Sequence, residues 1–362
     1  MSLPRISIVT PSFRSEKYIE STIRSLVSQG YPELEYIVLD GAGDSTADIL
    51  RRYDEHIHFW RSAPDEGQYA AITEGFAMAS GEVLGWLNAD DILLPRALFV
   101  VGEIFAQFPQ VEWITTMKPG ILDANGSLAH FGFLPGFNSK AFLDGFYLPG
   151  TAAKGFFIQQ ESTFFRRSLW ERAGARIPPY PLAGDFALWC EFFKHTGLYG
   201  VSYPLSAFRT VEGQRSEDVD RYLGECREAL AQLRRTSNYD SSVPLGEAPR
   251  YTGHMVANRN RKRPDSGWDI IPYEFSPMTD ISLGPGDAPR QAPTPDDNRR
   301  KSGLPGLRPD SASRITSPHV RRSLRQAPRL PGRKLRRFRD RSARRPRAGP
   351  SAPRHVYRRH GR

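Results

Sequence analysis

Asn88-Ala89-Asp90-Asp91 follows directly on Val83-Leu84-Gly85-Trp86-Leu87, five residues suited to a fully buried strand. An unpaired carboxylate taken out of water costs on the order of several kcal/mol, so two adjacent acids at the lip of such a strand need a partner. One chemistry that supplies it is a divalent cation. Aspartate oxygens suit Mg2+ or Mn2+, which keep several water or phosphate ligands rather than a full protein cage. A cation with few protein ligands leaves the rest to the substrate, and a diphosphate would provide them. No His/Cys cluster points to zinc. The competing role for Asp90 and Asp91 is to cap a helix starting near Pro95.

The elements that must position these acids can be read from the periodicity. Short apolar runs near 6–12, 35–40, 57–62, 83–88 and 111–116 read as strands, and amphipathic stretches near 16–29, 46–53, 69–79 and 95–107 as helices. Tyr18, Ile19, Thr22, Ile23, Leu26 and Val27 fall at helical spacing before Gly30. Ser45 with Asp48 resembles a capping box. Strand and helix alternating at this rhythm predict an α/β fold with a mostly parallel central sheet and flanking helices. Pro11-Ser12-Phe13-Arg14, Asp40 to Asp44, Pro64-Asp65-Glu66-Gly67 and Asn88 to Asp91 then all fall at carboxyl ends of strands, the edge where open α/β sheets bind ligands. Asn125-Gly126 between apolar alternations predicts a hairpin, and 132–155 reads as a long surface loop, a candidate lid. A short strand and a helix ending at Gly174 follow, then a helix over 184–195 with Asp185 in its first turn, a strand at LYGVSY and a charged amphipathic helix over 216–235.

Composition divides the chain. Residues 1–235 hold 22 Lys+Arg against 29 Asp+Glu, whereas 236–362 hold 28 against 11. The expected organisation is therefore a catalytic domain over 1–240, halved near 116, and a basic, Arg/Pro-rich, disordered tail over 241–362. SGWDIIPYEF (266–275) is the last stretch apolar enough to pack. Two cysteines form no disulfide framework, and no apolar run reaches the length of a membrane span. A soluble cytoplasmic protein is expected, with peripheral contact at the inner membrane face left open.

The stretches ISIVTPSFRSEKYIESTIRSLVSQGYPELEYIVLDGAGDST, SAPDEGQYAAITEGFAMASGEVLGWLNADDILLP and QQESTFFRRSLWERAG with AGDFALW resemble, in order and spacing, the family-2 glycosyltransferases. The resemblance covers about residues 4–235. It implies a glycosyltransferase A fold and inverting transfer from a nucleotide-diphosphate sugar to a saccharide or lipid-linked acceptor. By resemblance, Pro11 and Ser12 line the nucleotide pocket, Asp40 binds the base and Asp65 sits beside it. Asn88-Ala89-Asp90 takes the place of the family's Asp-x-Asp motif, with Asp90, helped by Asp91, holding the metal. Gln160 and Glu161 match a loop that contacts donor or acceptor, and Asp185 falls where the family has its catalytic base. Two departures stand out: Asn88 where many relatives have Asp, and Val211 where many have His. Arg209 and Gln214 remain as candidate diphosphate contacts. Cys190, Trp170 and Trp189 read as core.

Rival readings are weaker. A dinucleotide-dependent oxidoreductase would need Gly-x-Gly-x-x-Gly after the first strand, where PSFRS stands. A sugar-nucleotide pyrophosphorylase would carry a Gly-rich basic loop there. A nucleic-acid- or anionic-membrane-binding protein could act through RKLRRFRDRSARRPR (333–347), but the tail's aromatics are too sparse for base stacking. Its composition also fits an out-of-frame reading of a GC-rich gene.

Overall fold

The computed structural model describes residues 2–134, 136–148, 156–242, 253–257 and 267–272. In chain order the elements are β1 (Ile6–Ser12), α1 (Ile19–Val27), β2 (Leu34–Asp40), α2 (Thr46–Arg52), β3 (Phe59–Ser62), α3 (Gln68–Met78), β4 (Val83–Trp86), β5 (Ile92–Leu93), α4 (Ala97–Gln107) and β6 (Trp113–Thr116). After these come β7 (Gly120–Leu122), β8 (Leu128–Phe131), α5 (Ser139–Asp144), β9 (Phe164–Arg166), α6 (Arg167–Arg172), α7 (Gly184–Phe193), β10 (Tyr199–Val201), β11 (Ser206–Arg209), α8 (Val219–Thr236), β12 (Gly253–Ala257) and β13 (Trp268–Pro272).

The large sheet runs β13-β12-β10-β6-β9-β4-β1-β2-β3. β1 pairs in parallel with both β2 and β4, and β2 with β3. β9 is antiparallel to β4 and to β6. Successive residues of a strand face opposite ways, and each face of this sheet has its own core. Val9, Ile37, Leu39 and Trp86 pack with α3, α6, α7 and α8. Ile8, Tyr36, Val38 and Val83 pack with α1 and α4 on the other side. β1 is buried over its whole length, and its polar side chains are satisfied there. Ser7 Oγ donates to Glu35 at 2.5 Å, and Thr10 Oγ1 accepts from Tyr36 at 3.1 Å. A second sheet, β5-β11-β7-β8, lies beside it, and its β7–β8 pair is the expected hairpin.

Several expectations change. The Ser45–Asp48 capping box does not form: Ser45 Oγ donates to Glu16, and α2 is capped by Asp44, whose Oδ1 accepts from the Thr46 N–H at 3.0 Å. The loop expected on the surface over 132–155 is interior in much of its described part. Leu134, Phe137, Phe142 and Tyr147 are buried, and Phe142 meets Phe186 of α7 at 5.1 Å between ring centres. Beyond the expected domain end at 240, β12 and β13 pair into the large sheet beside β10. The remainder of the expected disordered tail lies outside the described residues. No helix among the described residues is long and apolar enough to cross a membrane.

Candidate functional site

The carboxyl ends of β1 and β4, with the segments after β3 and β11, enclose a cleft of about 670 Å3. Pro11, Ser12, Asp65, Asn88 and Asp90 line it, as expected from strand-end placement. The structure adds Phe13 and Arg14, which follow Pro11-Ser12 directly, and Gln68 and Arg215. Phe13 is 62% exposed at the rim, with the Arg14 guanidinium 5.1 Å from its ring centre. Arg14 holds a left-handed backbone conformation (φ 51°), an uncommon strain in a non-glycine residue at the mouth of a site.

The loop after β4 is fixed from outside the cleft. Thr22 of α1 is buried, and its hydroxyl lies 2.8 Å from the Ala89 carbonyl and 2.7 Å from that of Asp91. Arg209 Nε donates to the Asp90 carbonyl at 2.7 Å. With the backbone tied down in this way, the Asp90 carboxylate is left facing the cleft, where Gln214 Nε2 approaches its Oδ2 at 3.3 Å. Burial raises the Asp90 carboxyl above its ordinary range.

Asp91 points the other way, which corrects its expected role as a second metal ligand. It is fully buried, its Oδ1 accepts the Arg209 N–H at 2.8 Å, and its Oδ2 accepts from Asn88 at 3.2 Å. Its carboxyl also hydrogen-bonds with that of Glu161. Desolvation lifts both groups, Glu161 to about 7, so this buried pair retains a proton near neutrality. Glu161 and Gln160 therefore support the site from below and do not line the cleft. Gln160 accepts from Asn88 at 3.2 Å and donates to the Trp86 carbonyl at 2.8 Å.

Two further expectations are displaced. Asp40 is fully buried beneath Ser12 Oγ (2.9 Å) and Ser62 Oγ (2.6 Å) and reaches the cleft only through Ser12. Arg209 is 4% exposed and lies behind the Asp90 loop, so it does not line the cleft. Gln214 does line it.

Asp185 opens α7. Leu182 and Ala183 donate their N–H groups at 2.7 and 2.9 Å to Glu225 of α8, which satisfies donors that a helix start leaves open. Gly184 packs against Tyr69, and an added Cβ would stand 2.7 Å from that ring. Tyr222 Oη is 3.4 Å from each Asp185 oxygen. Desolvation, offset in part by hydrogen bonds from the Phe186 N–H, Tyr222 and Tyr69, raises the Asp185 carboxyl to about 6. Asp185 stands one side chain back from the cleft, since Arg215, which lines the cleft, lies over Tyr69 at 5.9 Å.

The residues present fit a cation that takes most of its ligands elsewhere. Among the described residues no group of three or more His, Cys, Asp or Glu is placed to hold a metal. Asp90 offers one desolvated carboxylate, and phosphate and water would have to complete the shell, as Mg2+ and Mn2+ permit.

Comparison with known proteins returns glycosyltransferases. A family model described as Glycosyl transferase family 2 matches residues 7–167. An uncharacterized glycosyltransferase of Mycobacterium tuberculosis is 36% identical over 92 residues, covering 25% of this chain and 35% of that protein. The O-antigen biosynthesis protein RfbC of Myxococcus xanthus is 37% identical over 129 residues, covering 34% and 10%. The chain thus spans about a third, or less, of the length of these curated relatives. The crystal structure of S. aureus TarS 1-349 in complex with UDP-GlcNAc superposes with a TM-score of 0.50 at 15% identity, covering 65% of this chain and 68% of that one, and shares the glycosyltransferase A fold.

Proposed function

We propose, on the match of residues 7–167 to the model of glycosyl transferase family 2, that the protein transfers a sugar from a nucleotide-diphosphate sugar to a saccharide or lipid-linked acceptor, with inversion at the anomeric carbon, in surface polysaccharide assembly. The observation that carries this reading is the Asp90 carboxylate, which faces a cleft lined by Pro11, Ser12 and Asp65 while Asp91 is turned into the core.

In this reading the nucleoside lies over Pro11 and Ser12, Arg215 meets the diphosphate, and Asp90 is the residue that would hold Mg2+ or Mn2+ beside it. The cation, when bound, neutralises charge that builds on the leaving diphosphate. Asp185 accepts the proton of the acceptor hydroxyl as its oxygen bonds to the anomeric carbon and the carbon–diphosphate bond breaks. A single displacement of this kind inverts the centre. A carboxyl raised to about 6 is ionised at neutral pH yet more basic than an ordinary aspartate, which suits a general base.

The test is calorimetric titration of UDP and GDP into the full-length protein, with Mn2+ and then with EDTA, for the wild type and Asp90→Ala. Binding of one nucleotide that needs both the cation and Asp90 is expected. Binding indifferent to both, or no binding of either nucleotide, would overturn the reading. With a turned-over donor in hand, Asp185→Asn should lower kcat by about 100-fold or more while donor affinity holds. In the wild type, kcat/KM should fall as pH drops through about 6.

A further inference from the structure

Behind the Asp90 loop lies a second cavity, of about 660 Å3, between α1 and the turn of the β7–β8 hairpin. One wall is a face of α1 with the residues flanking it at either end: Lys17, Ser21, Arg24, Ser25 and Ser28 recur at the three- and four-residue spacing of one helix face. The opposite wall is Ala124-Asn125-Gly126, and Arg209 closes the base. No carboxylate is among the lining residues, whereas Lys17, Arg24 and Arg209 are all cations.

Arg209 is the informative member. It is 4% exposed, and its guanidinium meets neutral groups, the Asp90 carbonyl, Ser21 Oγ at 3.2 Å and the Tyr18 ring at 5.1 Å, while its backbone N–H donates to the Asp91 carboxylate at 2.8 Å. Among the described residues it has no ion-pair partner. The Asp90 carboxylate answers part of this charge through space without forming an ion pair, and an anion in this cavity would complete the neutralisation of a buried guanidinium. Lys17 likewise has no ion pair among the described residues, its Nζ lying 4.9 Å from the Tyr18 ring centre. Arg24 is engaged by Glu20 at 2.8 Å and by Tyr53 at 2.7 Å, so it contributes field more than contact. The hairpin turn approaches the guanidinium closely, as only glycine allows: a Cβ on Gly126 would stand 2.8 Å from Arg209 Nη1.

We propose that this cavity binds a phosphoryl group, as free phosphate or as the phosphodiester of a lipid headgroup, between Arg209 and Lys17. Planar guanidinium donors beside a mobile ammonium are suited to phosphate oxygens. The site is separate from the proposed donor cleft and does not depend on the donor chemistry. It touches that cleft through Tyr18, which lines both, and through the Arg209–Asp90 contact, so occupancy would steady the loop that presents Asp90.

The experiment is titration of inorganic phosphate into the full-length protein in EDTA without nucleotide, followed by 31P NMR. Wild type is compared with Lys17→Gln, Gly126→Asn and, as the control on the donor cleft, Arg215→Gln. Asn tolerates the left-handed conformation of Gly126 (φ 88°), so that variant crowds Nη1 and keeps the turn. Weakening by about tenfold in Lys17→Gln and Gly126→Asn, with Arg215→Gln unchanged, is expected. Loss confined to Arg215→Gln, or no saturable binding by the wild type, overturns the proposal. Where phosphate binds, sedimentation with phosphatidylglycerol vesicles identifies the source. Vesicle binding that Lys17→Gln weakens and inorganic phosphate displaces marks a headgroup site, and vesicle binding indifferent to both marks a site for free phosphate.

Discussion

Asn88 carries an amide where many family-2 enzymes carry an acid, and its neighbours explain why. Its Oδ1 accepts from Gln68 at 2.8 Å while its Nδ2 donates to Asp91 and to Gln160, so the position needs a donor and an acceptor at once. A carboxylate would offer only acceptors and would face the Asp91–Glu161 pair with like charge. Asn88→Asp should therefore cost about 2 kcal/mol or more, with a larger loss of Tm at pH 8 than at pH 5. The pair itself sets a second expectation. Glu161 is raised from 4.5 to about 7, so the folded state holds a proton that the unfolded chain releases near pH 4.5. Below that value its contribution to stability is fully present, and it is lost as pH climbs from about 4.5 through about 7. Thermal melts of Glu161→Gln should lose much of that slope and be at least as stable as wild type at pH 8. Asp185, raised to about 6, keeps a residual slope of the same sign. The sequence marked the strand end at Asn88 to Asp91 as a site, because an apolar run ending in acids is visible locally. Which acid faces the cleft was not visible. Thr22 and Arg209 decide it, and they are far away in sequence.

At the scale of elements, regular period was the legible signal. The strands ending at Ser12, Asp40, Ser62 and Thr116 lie where alternation with amphipathic helices put them, and α7 begins at Gly184 as expected. What escaped was short or polar. β5 has two residues and β11 has four, lengths at which no period can register, yet β11 supplies Arg209 to the site. α5 was hidden in a Gly- and Phe-rich stretch that reads as surface until α7 and α8 are there to cover it. The α7–α8 contact also carries a functional expectation. Glu225 accepts both the Leu182 and the Ala183 N–H, so it fixes the turn from which Asp185 projects. Glu225→Ala would leave two donors at a helix start without that partner, at a cost of about 1–2 kcal/mol. Because Glu225 touches neither the cleft nor Asp185, kcat should fall several-fold with donor KM unchanged, and Glu225→Gln, which keeps an acceptor oxygen, should recover part of it.

At the scale of the whole molecule, the charge change near residue 236 is real in the sequence, but it does not mark where the sheet ends. β12 and β13 continue past it, and Trp268 is the anchor. Its side chain is 6% exposed, its Nε1–H donates to Glu103 at 3.0 Å, and its backbone exchanges hydrogen bonds with both ends of the Gln107 amide at 2.6 and 3.0 Å. The apolar run at 268–272 was recognisable as able to pack. Its partner was not, because Gln107 is 161 residues away. The sheet order then separates stability from function: β13 is five strands from β4, whose end carries Asp90. Trp268→Ala should remove about 3 kcal/mol of stability and lower Tm, while the Mn2+-dependent affinity for the nucleotide, measured well below that Tm, stays as in wild type. Truncation after residue 240 should lower Tm at least as far, and truncation after residue 279, which keeps both strands, should not. A fall in nucleotide affinity in Trp268→Ala would show instead that the β12–β13 edge is coupled to the Asp90 loop through the sheet.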